Sequence, residues 1–308
     1  MTTQIPRAEF IASSDDRGRS GAVPATALNA GPGAPAKRPD IRAVLGVPLE
    51  GSGLSHTCWS IVEAAARSGW PIRLHAPSLR GGTRGTARVT TVLPDVAAGL
   101  PFGPLRPALQ GMLQRQALAS IVEGEVAYLW PTVPLAIFEA VAQRGIPIVT
   151  EAANTRMAVA KEVLDAAYDA LGARPDHGIN ADRIAIQERR NALCAAIFAP
   201  SPLVETSYRE TPYADRVLSG SFGTWVAPSL PEKPPALGRP VRFLFVGRDA
   251  VRKGLHHLLD AWRHAPANAE LRIVGEISPL IRDRYADVLN LPSVSPAGFR
   301  TGMEDEYL

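Results

Sequence analysis

From residue 41 onward, short apolar runs alternate with longer stretches whose apolar residues recur at helical spacing. This alternation is the strongest constraint on the fold. Strands separated by helix-length crossovers pair in parallel, and a parallel sheet needs helices over both faces. Residues 41–47 read as a buried strand, residues 55–68 as a helix and residues 71–75 as the next strand. Ser55 is placed to cap that helix. Trp59, Val62 and Ala66 share one of its faces, and Gly69 ends it. Residues 76–100, with Gly81, Gly82 and Gly85, read as loop. A helix near 105–122, a strand at 126–130, a helix at 133–144 and a strand at 146–150 follow. Residues 156–171 form an amphipathic helix with Ala160, Val163, Leu164, Ala167 and Leu171 on one face, and Gly172 closes it. A helix over 181–193, a strand at 195–198 and a helix begun by Ser201-Pro202 complete the series.

Residues 226–240 break the rhythm with Pro228, Pro231, Pro234, Pro235 and Pro240, the signature of a stiff linker. The alternation then restarts: strand 241–246, helix 254–263, strand 271–274, helix 279–289, strand 294–297. The expected organisation is a disordered tail over 1–39, rich in Gly, Pro, Ala, Ser and Thr without a period. A Rossmann-like domain over 40–225 follows, then the linker, then a second Rossmann-like domain over 241–308. From Leu237 to Leu308 there are 72 residues. A complete doubly wound domain takes roughly 120–150. The second domain is therefore expected to be partial, truncated at an unpaired apolar sheet edge.

Composition narrows the class. Hydrophobic residues make up 46% and charged residues 20% of 308, enough apolar material for two cores. The net charge of +3 is a weak field, and no Lys/Arg run with interleaved aromatics occurs, so no nucleic-acid partner is expected. There is no apolar run long enough to cross a membrane, and the first forty residues lack an apolar signal core. Cys58 and Cys194 lie in apolar patterns and read as buried free thiols of a reducing compartment. A cytoplasmic protein is expected, its mild basicity compatible with peripheral attachment at the inner face of a membrane.

The densest chemical signal is the run Phe243-Leu-Phe-Val-Gly-Arg-Asp-Ala-Val-Arg-Lys-Gly254. Gly247 and Arg248 fall at the carboxyl end of a strand, where open α/β sheets bind ligands. Lys253 and Gly254 fall at the next helix start, which offers N–H groups and a partial positive charge. Arg248, Lys253 and that helix end would converge on one anion, such as a diphosphate gaining charge as a leaving group. Two solvated basic residues in a loop would look the same. The loop Glu50-Gly-Ser-Gly-Leu54 joins the first strand to the first helix, and Gly51 and Gly53 let backbone N–H groups approach a ligand. A dinucleotide fingerprint would need Gly at position 56, which is His56, so a nicotinamide oxidoreductase is disfavoured. His56 follows that loop and could touch a phosphate or an acceptor hydroxyl, although a histidine so placed more often only caps or packs. Glu151, Asn154 and Thr155 follow a strand end and either line a cleft or serve as loop polars. His256 and Asp260 are two candidate metal ligands without a third, so no metal is expected.

The run 243–254 resembles the start of the second domain in family-4-type glycosyltransferases, which have the GT-B fold. Residues 269–275, Gly298-Phe299 with residues 304–308, and, more diffusely, 198–202 and 220–223 extend the resemblance across roughly 40–308. It implies a nucleotide-diphosphate-sugar donor held at the diphosphate by Arg248 and Lys253, with Gly247 beneath and Gly51 and Gly53 closing from the first domain. It also implies sugar transfer to a hydroxyl of a carbohydrate or lipid-linked acceptor, with retention and without an essential metal or other cofactor. Two departures stand out. Trp130 occupies about the place of a family histidine. No Glu has a second Glu eight residues on, the spacing of the pair that the family places near sugar and ribose. A catalytically inactive remnant or binding protein of the same fold is the alternative that these departures keep open.

Overall fold

In a computed structural model of the chain, residues 38–50, 53–80, 85–222, 240–248 and 250–299 are described. Every pairing between their strands is parallel. The first sheet contains β1 (Ile41–Val44), β2 (Ile72–Ala76), β3 (Arg88–Thr91), β4 (Val126–Leu129), β5 (Ile148–Glu151), β6 (Ala196–Ala199) and β7 (Val217–Ser219). Their order is β3-β2-β1-β4-β5-β6-β7. The second contains β8 (Val241–Val246), β9 (Ala269–Val274) and β10 (Val294–Gly298), in the order β10-β9-β8. Order reverses next to β1, so the first sheet is doubly wound and its ligand crevice is expected at the strands' carboxyl ends.

Strand alternation sends neighbouring side chains to opposite faces and builds two cores on the first sheet. Val44, Leu129, Ile148 and Ile197 face α2 (Phe102–Ser120) and α3 (Leu135–Gln143), which contribute Leu113, Ala117, Ile137 and Phe138. Ala43, Leu74 and Tyr128 face α1 (Gly53–Arg67) through Cys58 and Val62. The remaining first-lobe helices are α4 (Met157–Ala170), α5 (Ala181–Ala192) and α6 (Pro202–Thr206). In the second lobe, α7 (Leu255–Trp262), α8 (Pro279–Arg284) and α9 (Ala286–Leu289) pack Leu255, Leu259, Trp262, Ile281 and Val288 onto Leu271 and Ile273. That same cluster takes in Tyr168 and Leu171 from the end of α4, and Arg284 donates to the Leu171 carbonyl at 3.1 Å.

Several expectations need correction. β3 and β7 were not foreseen, because each is a short edge strand without an apolar run. The helix α1 begins at Gly53, two residues before Ser55. Ser55 Oγ accepts from the Glu50 N–H at 3.3 Å rather than capping. Val163 is 64% exposed, while Leu164, Tyr168 and Leu171 carry the buried side of α4. The helix expected over 279–289 breaks at Tyr285, whose ring is buried and whose hydroxyl donates to Asp260 at 3.0 Å. Other boundaries fall close to expectation: Ser201 caps α6 by accepting from the Val204 N–H, and left-handed Gly69 and Gly172 follow α1 and α4. The expected tail and most of the Pro-rich linker lie outside the described residues.

Two buried polar groups are held far from their ordinary protonation behaviour. His75 of β2 is 2% exposed, with Nε2 3.1 Å from Ser120 Oγ. Burial, with the Arg42 and Arg73 guanidinium groups nearby, lowers its pKa from 6.5 to about 4. Glu63 of α1 accepts from the N–H groups of Thr86 and Ala87 and from Arg67. Burial alone would raise its pKa; these donors bring it down to about 2.

Candidate functional site

The carboxyl ends of both sheets hold the candidate residues. In the second lobe the hydrogen-bond ladder runs past the strands themselves. Gly247 N–H donates to the Val274 carbonyl at 2.9 Å, and Gly275 N–H donates to the Gly298 carbonyl at 2.9 Å. Gly275 has φ +141, and a Cβ there would lie 1.8 Å from the Gly247 oxygen. Only glycine is compatible with that contact, so the chain is pinched flat just where β8 and β9 end. Lys253 folds its stem over Gly247: a Cβ on Gly247 would meet Lys253 Cγ at 3.1 Å. Arg248 is exposed and its guanidinium lies 5.9 Å from the Phe299 ring centroid, within cation–π range. Gly247, Arg248 and Lys253 are thus brought together at the end of β8.

The helix end differs from expectation. The first residue of α7 is Leu255, and left-handed Gly254, φ +76, precedes it. The Gly254 and Leu255 N–H groups donate to the Val251 and Ala250 carbonyls. The two amides nearest Lys253 are therefore spent on the turn, and the anion-binding capacity of this corner rests on the side chains.

A cleft of about 1310 Å³ opens at the carboxyl ends of β4, β5 and β6. Glu151, Asn154 and Thr155 line it, as does Arg252 from the second lobe. Arg248 and Lys253 are not among its lining residues. Arg156 also lines it, and was missed because its partners are remote in sequence. Its N–H and Nε donate to Ser207 at 3.0 and 3.1 Å, and its guanidinium meets Glu188 at 3.0 Å. Such bracing holds a cation in place at the cleft wall.

Glu151 separates this cleft from an apolar cavity of about 490 Å³ bordered by Ile61, Trp70, Val149 and Phe198. It is 7% exposed, and Tyr128 Oη donates to it at 2.5 Å. Burial raises its pKa from 4.5 to about 7, opposed by the Tyr128 hydrogen bond. Burial beside Glu151 drives the Tyr128 hydroxyl and the Cys58 thiol far above their ordinary values. Cys58 and Cys194 are free and buried.

The other candidates disperse. Gly53, φ +50, opens α1 on the exposed surface, and His56 is exposed one turn on; Gly51 lies outside the described residues. Trp130 is fully buried against Tyr128 at 5.5 Å between ring centroids, so it is core and not cleft wall. His256 is buried and its ring lies 3.8 Å from that of exposed His257. Asp260 is engaged by Tyr285, and no group of three or more metal-ligating side chains occurs among the described residues. No described helix is long and apolar enough to cross a membrane.

No family profile and no curated protein sequence matches the chain. Solved structures do. WaaG, a glycosyltransferase involved in lipopolysaccharide biosynthesis, matches with TM-score 0.52 and 15% identity over 85% of this chain and 70% of its own. The lipopolysaccharide outer core galactosyltransferase WaaB matches with TM-score 0.51 and 14% identity over 85% of this chain and 68% of its own. HepE of Anabaena in complex with UDP matches with TM-score 0.51 and 14% identity over 85% of this chain and 70% of its own. The chain has the fold that these glycosyltransferases share, two α/β lobes of GT-B type.

Proposed function

We propose that the chain is the nucleotide-sugar-binding framework of a glycosyltransferase. The reaction moves a sugar from a nucleoside diphosphate to an acceptor hydroxyl, with retention of configuration. The bond from the anomeric carbon to the diphosphate breaks with its electron pair on the diphosphate. The acceptor oxygen takes the anomeric carbon and gives up its proton to an oxygen of the departing diphosphate. Arg248 and Lys253 stabilise the departing diphosphate over Gly247, and the loop of Gly51 and Gly53 is assigned to the first lobe's share of the donor site. No metal is required when two cations carry that charge. The observation that carries this reading is the pinch of Gly275 onto Gly247, which flattens the backbone beneath two cationic side chains at a sheet's carboxyl edge. Fold likeness to HepE, solved with UDP and with UDP-glucose, supports a uridine nucleotide as the donor class. The braced Arg156, with Asn154 and Thr155 in the same cleft lining, favours a hydroxyl-rich acceptor, a carbohydrate or a lipid-linked one. We place the reaction in the cytoplasm or at the inner face of a membrane.

The test is thermal unfolding of the purified chain with UDP, GDP, ADP and their sugars. Ligand at a hundredfold its Kd stabilises by about 2.7 kcal/mol. One nucleotide is expected to raise the melting temperature, and the Arg248→Ala/Lys253→Ala double variant is expected to lose that rise. A shift unchanged in the double variant removes these residues from the site. No shift with any nucleotide rejects donor binding and leaves a non-catalytic protein of the same fold.

A further inference from the structure

The polarity of α5 is inverted. A helix laid against a fold turns apolar residues inward and polar ones to solvent. On α5 the buried residue is Asn191, while Ile186 is 38% exposed. Arg183, Gln187 and Arg190, at i, i+4 and i+7, share a helix face with Asn191, and all four line the cleft. Spacing that makes a core stripe in an apolar helix makes a polar wall here. Two hydrogen bonds fix the start of α4 against this wall. Gln187 Oε1 accepts from the Met157 N–H at 2.6 Å, and the Arg156 guanidinium meets Glu188 at 3.0 Å. Arg156 therefore stands level with residues 187–188, between Arg183 about one turn earlier and Arg190 less than a turn later.

The charges on that wall are unequally compensated. Glu188 balances Arg156. Arg183 donates to the Gly178 carbonyl at 2.7 Å. Arg190 donates to the carbonyls of Pro131 and Val133 and lies over the Phe138 ring at 5.8 Å. Neither of these two guanidinium groups has a carboxylate partner among the described residues. Arg190 is half-buried, and its Nε has no acceptor. Burial chiefly lowers its pKa, and the Arg183 charge lies near enough to lower it further. Two cations that disfavour each other in a partly desolvated place are stabilised by an anion seated beside both. The described carboxyl groups of the lining are exposed Glu210 and Glu151, whose pKa burial raises to about 7. A carboxylate ligand would match one guanidinium. A phosphomonoester carries about −1.5 to −2 near neutral pH and three acceptor oxygens, so it matches two. Asn154, Thr155 and Ser201 in the same lining offer partners for sugar hydroxyls.

We propose that the cleft binds a phosphorylated carbohydrate as the acceptor, its phosphomonoester held by Arg183 and Arg190 beside Arg156. The role of acceptor rests on the transferase reading above, whereas the anion site does not. The phosphate takes no part in the chemistry. It anchors the carbohydrate, and a free hydroxyl of that carbohydrate receives the sugar. Arg248 and Lys253 lie outside this lining, so the acceptor phosphate and the donor diphosphate have separate cations. Anchoring of this kind is electrostatic and weakens as salt is added.

Titration calorimetry of the full chain without nucleotide reads the site. The probes are the 6-phosphates of glucose, galactose and mannose, the matching free hexoses, glucuronate and inorganic phosphate. One hexose phosphate is expected to bind about tenfold or more tightly than its free hexose, glucuronate or inorganic phosphate. Arg183→Gln removes one charge and leaves the Asn180 cap of α5 in place. It is expected to weaken that binding about tenfold or more while keeping the wild-type circular dichroism spectrum. Arg189→Gln is the control. It makes the same charge change on the same helix, but Arg189 pairs with Glu139 and lies outside the cleft lining, so binding should be unchanged. Equal losses in the two variants would mean diffuse attraction and overturn the site. Loss in Arg248→Ala/Lys253→Ala with none in Arg183→Gln would put the phosphate at the end of β8 and overturn it too. Inorganic phosphate binding as tightly as every hexose phosphate, or glucuronate doing so, overturns the ligand class. A chain that binds a hexose phosphate through Arg183 and yet binds no nucleotide keeps the anion site and rejects the transferase reading, so the two fail separately.

Discussion

Glu151→Gln is expected to stabilise this protein, and by an amount that depends on pH. Glu151 is buried, and its pKa is raised from 4.5 to about 7 chiefly by burial. Below about pH 4.5 the carboxyl is protonated in both folded and unfolded chains and contributes no difference. Between 4.5 and 7 the unfolded chain releases the proton while the folded chain keeps it, so stability falls as pH rises through this window. Above 7 the folded chain holds a buried carboxylate. The gap between 4.5 and about 7 corresponds to about 3 kcal/mol. Glutamine has the same shape, stays neutral and still accepts from Tyr128 Oη, so the variant avoids that cost. Urea unfolding of wild type and Glu151→Gln at about pH 4 and pH 8 reads the difference. Near equality at the lower pH and a gain of about 3 kcal/mol at the higher are expected. A gain of equal size at both, or a loss at pH 8, would refute the assignment of this cost to ionisation.

His75 acts with the opposite sign: its pKa falls from 6.5 to about 4 on folding, so stability is lost as pH drops through that window. The contribution is about 3 kcal/mol, and His75→Gln is expected to flatten the acid limb of a stability–pH curve measured by urea unfolding. Gly275→Ala would force a side chain against the Gly247 oxygen at a φ that only glycine tolerates, at a cost of about 3 kcal/mol or more. Its melting temperature should drop and any nucleotide-induced rise should vanish with it; an unchanged melt would disprove the pinch.

Local pattern decided what the sequence could show. β8 was legible because its apolar run is bounded by Pro240 and Gly247, and the corner at Arg248 and Lys253 was legible because a strand and a helix start only a few residues apart create it. β3 is an edge strand reading Arg-Val-Thr-Thr, and β7 has three residues; neither has room for a period. Val163 shares the apolar face of α4 with Leu164 yet is exposed, because an apolar residue lining a cleft carries the same signal as one in a core. Helical spacing says that a face is apolar, not what it faces. The pairing of Tyr128 with Glu151 and the bracing of Arg156 by Ser207 and Glu188 join residues on different elements, so no window along the chain contains them.

The position of α4 changes what the Pro-rich stretch means. The sequence invites a cut there, between a first lobe and a second. Yet Tyr168 and Leu171 belong to the cluster that holds Leu255, Trp262 and Ile273, and Arg284 reaches back to the Leu171 carbonyl. A protease cleaving within 226–240 would sever the chain without parting the lobes. A fragment ending at 225 would present a hydrophobic helix end to solvent, and the complementary piece would lack part of its interior. The same helix borders the cleft with Val159 and Val163, so it is a shared beam: one side wall of the crevice, its far end mortised into the neighbouring lobe. Expression trials that treat the two lobes as separable modules would therefore do better to move the boundary, or to keep both halves of that joint in one polypeptide.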